Sequence, residues 1–474
     1  MVSKDDLRKL DKEELVDFAH NLTLQVDRLI SQVNQLTQEV KELREEIAVL
    51  KNKKNSGNSS LPPSQDLFAL KNQSLRGKTN RKSGGQPGHK GETLRMSANP
   101  DKIVQHFPDT QCPECGTIHS QEAMTIAGQR QVIDIPVIKA YVTEHQIYQL
   151  PCACGCVRSA KFPANVSAPV QYGPNLIGFT AYLSSRQFVP YSRLSELVAS
   201  ITNISMSEGT IFNMLQKASD AVTPIYDSIK EEVANATCVG GDETGVKVNN
   251  QKHWAWTWQT TLATYIVISG SRGFGTVTRT FPNGFPEATY VSDSLSAQLK
   301  TTAKSHQLCL AHLLRELTYF QEIYLHPWPT QMKALLQRAI ALKNTMTFRQ
   351  YTEPLSERNE LLLEFGKLID QDLPYKFSKI FPFLKRLVKR RHQIFTFLFY
   401  PQVPYDNNGS ERAIRNIKVK QKVSGGFRSE RGAEMFAILR SVFDTIIKKG
   451  GNPFDNIRFA LNISDSKQEF VMNH

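Results

Sequence analysis

Leucine recurs at every seventh residue from Leu15 through Leu22, Leu29, Leu36 and Leu43 to Leu50, and no other feature restricts the fold of this chain so tightly. Val26, Val33, Val40 and Ile47 each stand four residues after one of these leucines, so leucine occupies the d position of a heptad and β-branched residues occupy a. That combination favours a parallel two-stranded coiled coil. The flanking charges fit, since Glu39 with Arg44 and Glu46 with Lys51 would face each other across parallel helices in register. A long helix packed on its own domain is the alternative, but one helix face seldom needs heptads sustained over this length. Residues 1–52 are therefore expected to form a leucine zipper that joins two copies of the chain.

Behind the zipper there is room for several modules, because 474 residues exceed an ordinary domain about threefold. A net charge of +13 and a pI near 9.3 point to a polyanionic partner, nucleic acid before a membrane surface. The sequence holds no apolar run of the roughly 18 residues a membrane span needs, and Met1-Val2-Ser3-Lys4-Asp5-Asp6 does not open a signal peptide. A cytoplasmic protein working at the nucleoid is expected. Residues 53–104 carry Asn55-Ser56-Gly57-Asn58-Ser59-Ser60-Leu61-Pro62-Pro63-Ser64 and several Lys and Arg, with too few apolar residues to bury a core. They read as a basic linker, either a plain tether or an arm that follows DNA.

Five of the seven cysteines fall between 112 and 156, which in a cytosolic chain suggests metal before disulfide. Cys112-Pro113-Glu114-Cys115-Gly116 and Cys152-Ala153-Cys154-Gly155-Cys156 form two sulfur knuckles around β-patterned residues 129–150, the layout of a tetrahedral Zn²⁺ ribbon over 105–168. A glycine follows Cys115 and Cys154 alike, so Cys112, Cys115, Cys152 and Cys154 are the expected ligands, with Cys156 to spare. Residues 169–232 turn helical. Tyr191 to Val198, a turn at Thr202-Asn203-Ile204-Ser205 and a second helix from Ser207 resemble a helix-turn-helix that would present Ser207, Thr210 and Asn213 to bases in the major groove.

The chemistry rests on three acids. Val239-Gly240-Gly241-Asp242-Glu243-Thr244-Gly245-Val246-Lys247-Val248 reads as a strand with a carboxylate beside glycines, where backbone crowds a ligand. Glu243 is expected on the opposite face, because side chains alternate along a strand. Ala288-Thr289-Tyr290-Val291-Ser292-Asp293 ends a further strand on an acid, and Asn407-Asn408-Gly409-Ser410-Glu411 begins a helix that puts Asn408, Glu411 and Arg415 on one side. Between these, Trp254, Trp256 and Trp258 alternate as sheet core, and His306 to His312 leads into another helix. Three strands, a short helical crossover and two more strands, with acids on the first and fourth, give the order of a ribonuclease-H-like α/β domain over 233–450. A basic helical insertion at about 320–400 interrupts it before Glu411, and 451–474 is left as a tail.

Taken together, Gly241-Asp242-Glu243-Thr244-Gly245, Ser292-Asp293, Cys309-Leu310-Ala311-His312-Leu313-Leu314-Arg315-Glu316-Leu317 and Asn407 through Arg412 resemble the transposases of the insertion sequence 66 family. So do Ile417 to Ser429, the Asn55–Ser64 stretch and Gly84-Gly85-Gln86-Pro87-Gly88-His89-Lys90-Gly91. The resemblance implies a multidomain α+β DDE transposase with Asp242, Asp293 and Glu411 as its catalytic triad. It implies action on terminal inverted repeats and target DNA of a bacterial mobile element, helped by accessory proteins of the same element.

Such a triad holds two Mg²⁺ ions, so one site nicks and joins DNA strands by in-line displacement. His312 is expected at the scissile phosphate, and Arg412, Arg415, Lys418, Lys420, Lys422 and Arg428 beside the DNA backbone. The competing expectation is a non-catalytic DNA-binding regulator that keeps the zipper, ribbon and helix-turn-helix around a decayed site.

Overall fold

The computed structural model describes residues 11–51, 54, 58, 94–163 and 165–463. The Gly84–Gly91 stretch and most of the Asn55–Ser64 stretch lie outside the described residues. The chain divides into two compact units, the smaller made of Ser74–Val142 with Ser200–Ile204 and the larger of the remainder. In the smaller unit the Gln131 amide grips the backbone of Ser97 from both sides, at 2.7 and 2.8 Å. Residues 129–148, read as β from their alternation, form no strand. Val132, Val137 and Val142 are about nine-tenths exposed. Alternation makes a strand only where a second strand completes the hydrogen-bond ladder, and here none does.

In the larger unit the heptad stretch is a single helix, α1 (Lys12–Lys51). Its Leu22, Leu29, Leu36 and Leu43 are all more than half exposed, a long apolar stripe without cover. Just past its end, Lys54 lies over the Tyr319 ring and Asn58 donates to Glu322 at 2.7 Å. A small antiparallel hairpin follows, β1 (Gln149–Pro151) with β2 (Val157–Ser159), and then helices α2 (Pro174–Ala181), α3 (Tyr191–Thr202) and α4 (Glu208–Ala234).

The central sheet is built from β3 (Cys238–Val248), β4 (Gln251–Gln259), β5 (Thr264–Ser269), then α5 (Phe274–Thr280), β6 (Phe285–Ser292), α6 (Ser296–Leu299) and β7 (Ala303–Leu308). Its order is β5-β4-β3-β6-β7, with β3, β4 and β5 antiparallel and β6 and β7 parallel to β3. This mixed sheet fits a ribonuclease-H-like domain. The turn between β3 and β4 is made by Asn249 and Asn250, both at positive φ, where asparagine is tolerated.

Four longer helices follow the sheet, α7 (Leu310–Ile323), α8 (Pro327–Thr345), α9 (Ser356–Ile369) and α10 (Phe381–Lys389). Their apolar faces build one core around Trp328, Phe377 and Phe397 that reaches Val291 and Leu308 of the sheet, so the insertion is anchored to the strands and not hung from them. Then come α11 (Asn408–Ser424), α12 (Glu430–Lys448) and α13 (Pro453–Ile463). The stretch read as a tail thus begins with a helix whose Ile457 packs at Gly178 of α2.

Alternation sorts the two faces of the sheet. Val246 and Val248 of β3, Ala255 and Ile266 pack with Ile417 of α11 and Phe436 of α12. The other face gathers aromatic rings, with Trp256 stacked on Trp258 and Phe281 and Phe285 beyond. The edge strand β5 is also closed off. Its outward N–H groups at Thr264 and Ile266 donate to Thr445 Oγ1 and Ser441 Oγ of α12 at 3.0 and 2.9 Å, so helix hydroxyls stand where another strand would pair. No helix among the described residues is long and apolar enough to cross a membrane.

At Gly241 a Cβ would meet Tyr290 Oη at 1.9 Å, and the tyrosine is fully buried, whereas a Cβ on Gly245 of the same strand meets nothing. Gly241→Ala is therefore expected to destabilise the protein by about 1–3 kcal/mol through overpacking, and Gly245→Ala by much less. Urea unfolding of both variants measures the contrast; equal losses would contradict it.

Candidate active site

Parallel pairing of β3 with β6 sets Gly240 opposite Val291. Two residues on, that register carries Asp242 to the level of Asp293, the first residue past β6. The Asp242 carboxylate accepts from the Glu243 N–H at 2.8 Å, and Asp293 Oδ1 accepts from the Leu295 N–H at 2.8 Å, which fixes the acid in the turn leading to α6.

Glu411 arrives from 118 residues further on and needs a separate device to hold it there. Asn407, the N-cap of α11, is almost wholly buried. Its Nδ2 donates to the Gly241 carbonyl at 2.7 Å, its Oδ1 accepts from Ser410 Oγ at 2.7 Å, and its backbone N–H donates to Cys309 Sγ at 3.2 Å. The clamp ties the helix start to the residue just before Asp242. It needs glycine beneath it, because a Cβ on Gly240 would lie 2.8 Å from Asn407 Oδ1 and 2.9 Å from Ser410 Oγ. Further along α11, Lys418 Nζ donates to the Gly245 carbonyl at 2.6 Å.

Electrostatics bind the acids into one group. Burial, then the charges of Glu243, Asp293 and Glu411, raise the Asp242 carboxyl well above the usual range. Burial also raises Asp293, opposed by Arg272 and Arg386. Such strain is what a divalent cation relieves, and the hard oxygens of three carboxylates suit a hard metal ion. Glu411 carries its own partners, with Arg315 Nη2 at 3.6 Å from Oε1 and Arg415 Nη2 at 3.8 Å from Oε2.

Glu243 lies across the strand, as alternation requires, but it is no bystander. Arg272 Nη2 and Gln298 Nε2 donate to it at 2.7 and 2.5 Å. Its carboxyl is nonetheless pushed up to about 7, by burial first and then by Asp293.

His312 sits in the first turn of α7, directly after β7. Burial, then Arg315 and Arg386, lower it to about 3, so the imidazole is neutral at physiological pH and serves as a polar neighbour of Glu411, not a cationic phosphate clamp. Among the basic residues read from sequence, Arg412, Arg415, Lys422 and Arg428 are exposed. Lys418 is spent on the Gly245 carbonyl, and Lys420 is buried against the Tyr191 ring, where burial lowers it to about 8.

The helix-turn-helix residues are placed differently from one another. Ser207 caps α4 by accepting from the Thr210 N–H at 3.1 Å, and the two hydroxyls are also 3.1 Å apart, while Asn213 is exposed. Beyond that first turn α4 packs along α12, with Asp220 bound to Arg431 at 2.6 Å and Glu232 to Lys449 at 2.9 Å. The helix is part of the layer that covers the sheet.

Each cysteine knuckle is a tight turn. Gly116, at positive φ, donates to the Cys112 carbonyl at 2.9 Å in the smaller unit. In the larger, Gly155, also at positive φ, donates to the Cys152 carbonyl at 2.9 Å inside the β1–β2 loop. Cys115 is lowered to about 7, chiefly by hydrogen bonding to Thr117. Cys154 falls to about 7 as well, through the Cys156 backbone first and then the neighbouring thiols. Thiols poised to lose protons this readily are what a zinc knuckle requires.

A mixed five-stranded sheet with acids at adjoining parallel strands fits a ribonuclease-H-like domain. Residues 169–435, over half of the chain, match the model of the transposase IS66 family, and the chain belongs to that family. Residues 109–155 match the zinc-finger binding domain of transposase IS66, and residues 5–95 match a family of unknown function. No curated protein matches the chain.

Reasoning from sequence missed Arg272, Gln298, Arg315 and Arg386, whose partners are distant along the chain. It read Asn407 as part of a helix start but not the bonds that carry its side chain to Gly241 and Ser410. Burial and the neighbouring acids oppose ionisation of Asp242, so Asp242→Asn should raise the melting temperature of metal-free protein. Differential scanning calorimetry with and without Mg²⁺ tests it, and a lower melting temperature for the metal-free variant would count against strain among the acids.

Proposed function

We propose that this transposase cleaves DNA at the terminal inverted repeats of its element and joins the freed ends to target DNA, with Asp242, Asp293 and Glu411 as the triad. The observation that carries this reading is the register of β3 with β6, which levels two acids from adjoining strands while Asn407 clamps the third acid's helix beside them. Their three carboxylates would hold the divalent ions, Mg²⁺ by their hard oxygens. When bound, two such ions stabilise the attacking and leaving oxygens of an in-line phosphoryl displacement.

The rest is done by the chain's own residues. Arg412, Arg415 and Lys422 run along the exposed side of α11, beside Glu411, where they neutralise phosphates and set the register of the duplex without reading sequence. Arg428 extends that strip beyond the helix. His312, held neutral, donates a hydrogen bond to a non-bridging phosphate oxygen. Glu243 fixes Arg272 close to Asp293, and so acts through other groups and not on DNA. Base reading falls to the start of α4, where Asn213 is free to face a groove and Ser207 and Thr210 must exchange their mutual contact for one to DNA. The structural zinc ion has Cys112, Cys115, Cys152 and Cys154 as its ligands. The bare apolar stripe of α1 takes a second copy in a parallel coiled coil. Such a protein works where the element's DNA lies, at the bacterial nucleoid.

Three measurements test these parts. Asp242→Asn, Asp293→Asn and Glu411→Gln should each lose Mg²⁺-dependent cleavage of end-labelled inverted-repeat DNA by at least about a hundredfold while still binding it, since phosphate contacts need no metal. Binding without cleavage by the unaltered protein as well would favour the regulator instead. Purified protein should contain about one tightly held zinc per chain, lost on Cys112→Ser with Cys115→Ser and kept on Cys156→Ser. Val33→Asp with Val40→Asp should give monomers in sedimentation; a persistent dimer would place the contact elsewhere.

A further inference from the structure

Beside the acid trio the structure brings together a thiol, an imidazole and a carboxylate. Cys309 stands immediately before α7, His312 lies in its first turn, and Glu411 enters from α11; one ligand atom from each lies within 4.8 Å of the other two. Cys309 and His312 are three apart at a helix start, which turns both side chains to one side. The Asn407 clamp then delivers Glu411 to them.

Two further observations bear on this trio. His312 Nδ1 and Glu411 Oε1 are buried, and neither has a hydrogen-bond partner; the nearest charge to that oxygen, on Arg315, is 3.6 Å away. A buried acceptor without a hydrogen bond is destabilising, and a cation among the three side chains would give it a partner. The sulfur of Cys309, in turn, already accepts a backbone N–H at 3.2 Å, the support that metal-bound sulfur commonly receives from its surroundings.

The donor set decides which ion fits. Mg²⁺ takes oxygen ligands and has no use for sulfur or a neutral imidazole, whereas one sulfur, one nitrogen and one oxygen suit Zn²⁺. Bonds of about 2.0–2.3 Å in a tetrahedral zinc site require the three donors to close in modestly from their present spacing, leaving a fourth position open. Arg315 and Arg415 next to Glu411 oppose a second positive charge, so the site should bind more weakly than a four-sulfur ribbon and fill reversibly.

We propose that Cys309, His312 and Glu411 form a three-ligand Zn²⁺ site that withdraws Glu411 from the catalytic trio and so switches strand cleavage off. On binding, the Cys309 S–H bond is replaced by a sulfur–zinc bond and the proton leaves to solvent. The inhibition rests on Glu411 being the third acid; the binding does not.

Co²⁺ is the probe, added to full-length protein whose ribbon is already loaded with zinc. The expected result is a sulfur-to-cobalt charge-transfer band that is absent from Cys309→Ser, unchanged in Cys156→Ser and weakened at least about tenfold in affinity by His312→Gln. In parallel, low Zn²⁺ in the presence of excess Mg²⁺ should inhibit DNA cleavage by the unaltered protein, over the same range of Zn²⁺ that displaces Co²⁺ and removes the band. Circular dichroism verifies that Cys309→Ser is folded, and if it is not, the His312→Gln affinity shift decides the matter. No band in the unaltered protein, the same band in Cys309→Ser, or full cleavage at Zn²⁺ levels that displace Co²⁺ would overturn the proposal. Normal cleavage by Glu411→Gln would sink the triad assignment, yet the cobalt–thiolate band would still report on the site, so the two failures are distinguishable.

Discussion

Everything around the acid trio hangs on a short run of parallel pairing between β3 and β6. Three register pairs, Cys238 with Thr289, Val239 with Tyr290 and Gly240 with Val291, bring two acids to one level at the rim of the sheet. Burial raises the carboxyls of Asp242 and Asp293, and at Asp242 the charges of Glu243, Asp293 and Glu411 add to it. The fold thus builds a place that is poorly satisfied by protein alone. It tolerates this because the strands beneath are packed with Trp256, Trp258, Tyr290 and Phe285, and such a core resists the local collapse that would let the acids part.

Arginines temper the arrangement from outside. Arg272 is engaged by Glu243, Arg315 and Arg415 by Glu411, and Arg386 by Glu316 at 2.7 Å. All four belong to different elements, so the field over the acids depends on the sheet, the insertion and α11 holding station together. Arg386 is the contribution of the insertion, which reaches the acids from α10 through charge and not through contact.

Much of this was legible in the sequence, and the reasons are local. Asp293 closes a β-rich run, and open sheets bind ligands at such strand ends. The Asn and Ser residues before Glu411 announce a helix start, and the heptads announce a long helix. What eluded the sequence is whatever depends on who stands opposite. Lys418 and Lys420 look like DNA-facing cations among their neighbours, yet one is bound to a carbonyl of β3 and the other is buried on Tyr191. The residues around 132–142 have the alternation of strands but no partner to pair with. The helix after Ser207 looks like a separable reading head, whereas most of its length packs against α12. Charge, period and propensity are properties of a segment; burial and pairing are properties of the assembled molecule.

The Asn407 clamp has an evolutionary consequence. Because the position of Glu411 is set by bonds from its own helix start to Gly241 and Cys309, the stretch between α7 and α10 need not act as a ruler. Its helices can be lengthened, trimmed or exchanged, provided that the two ends return to the same anchorage. Lineages of this family can therefore acquire new surfaces in that stretch while leaving the acid trio where it stands.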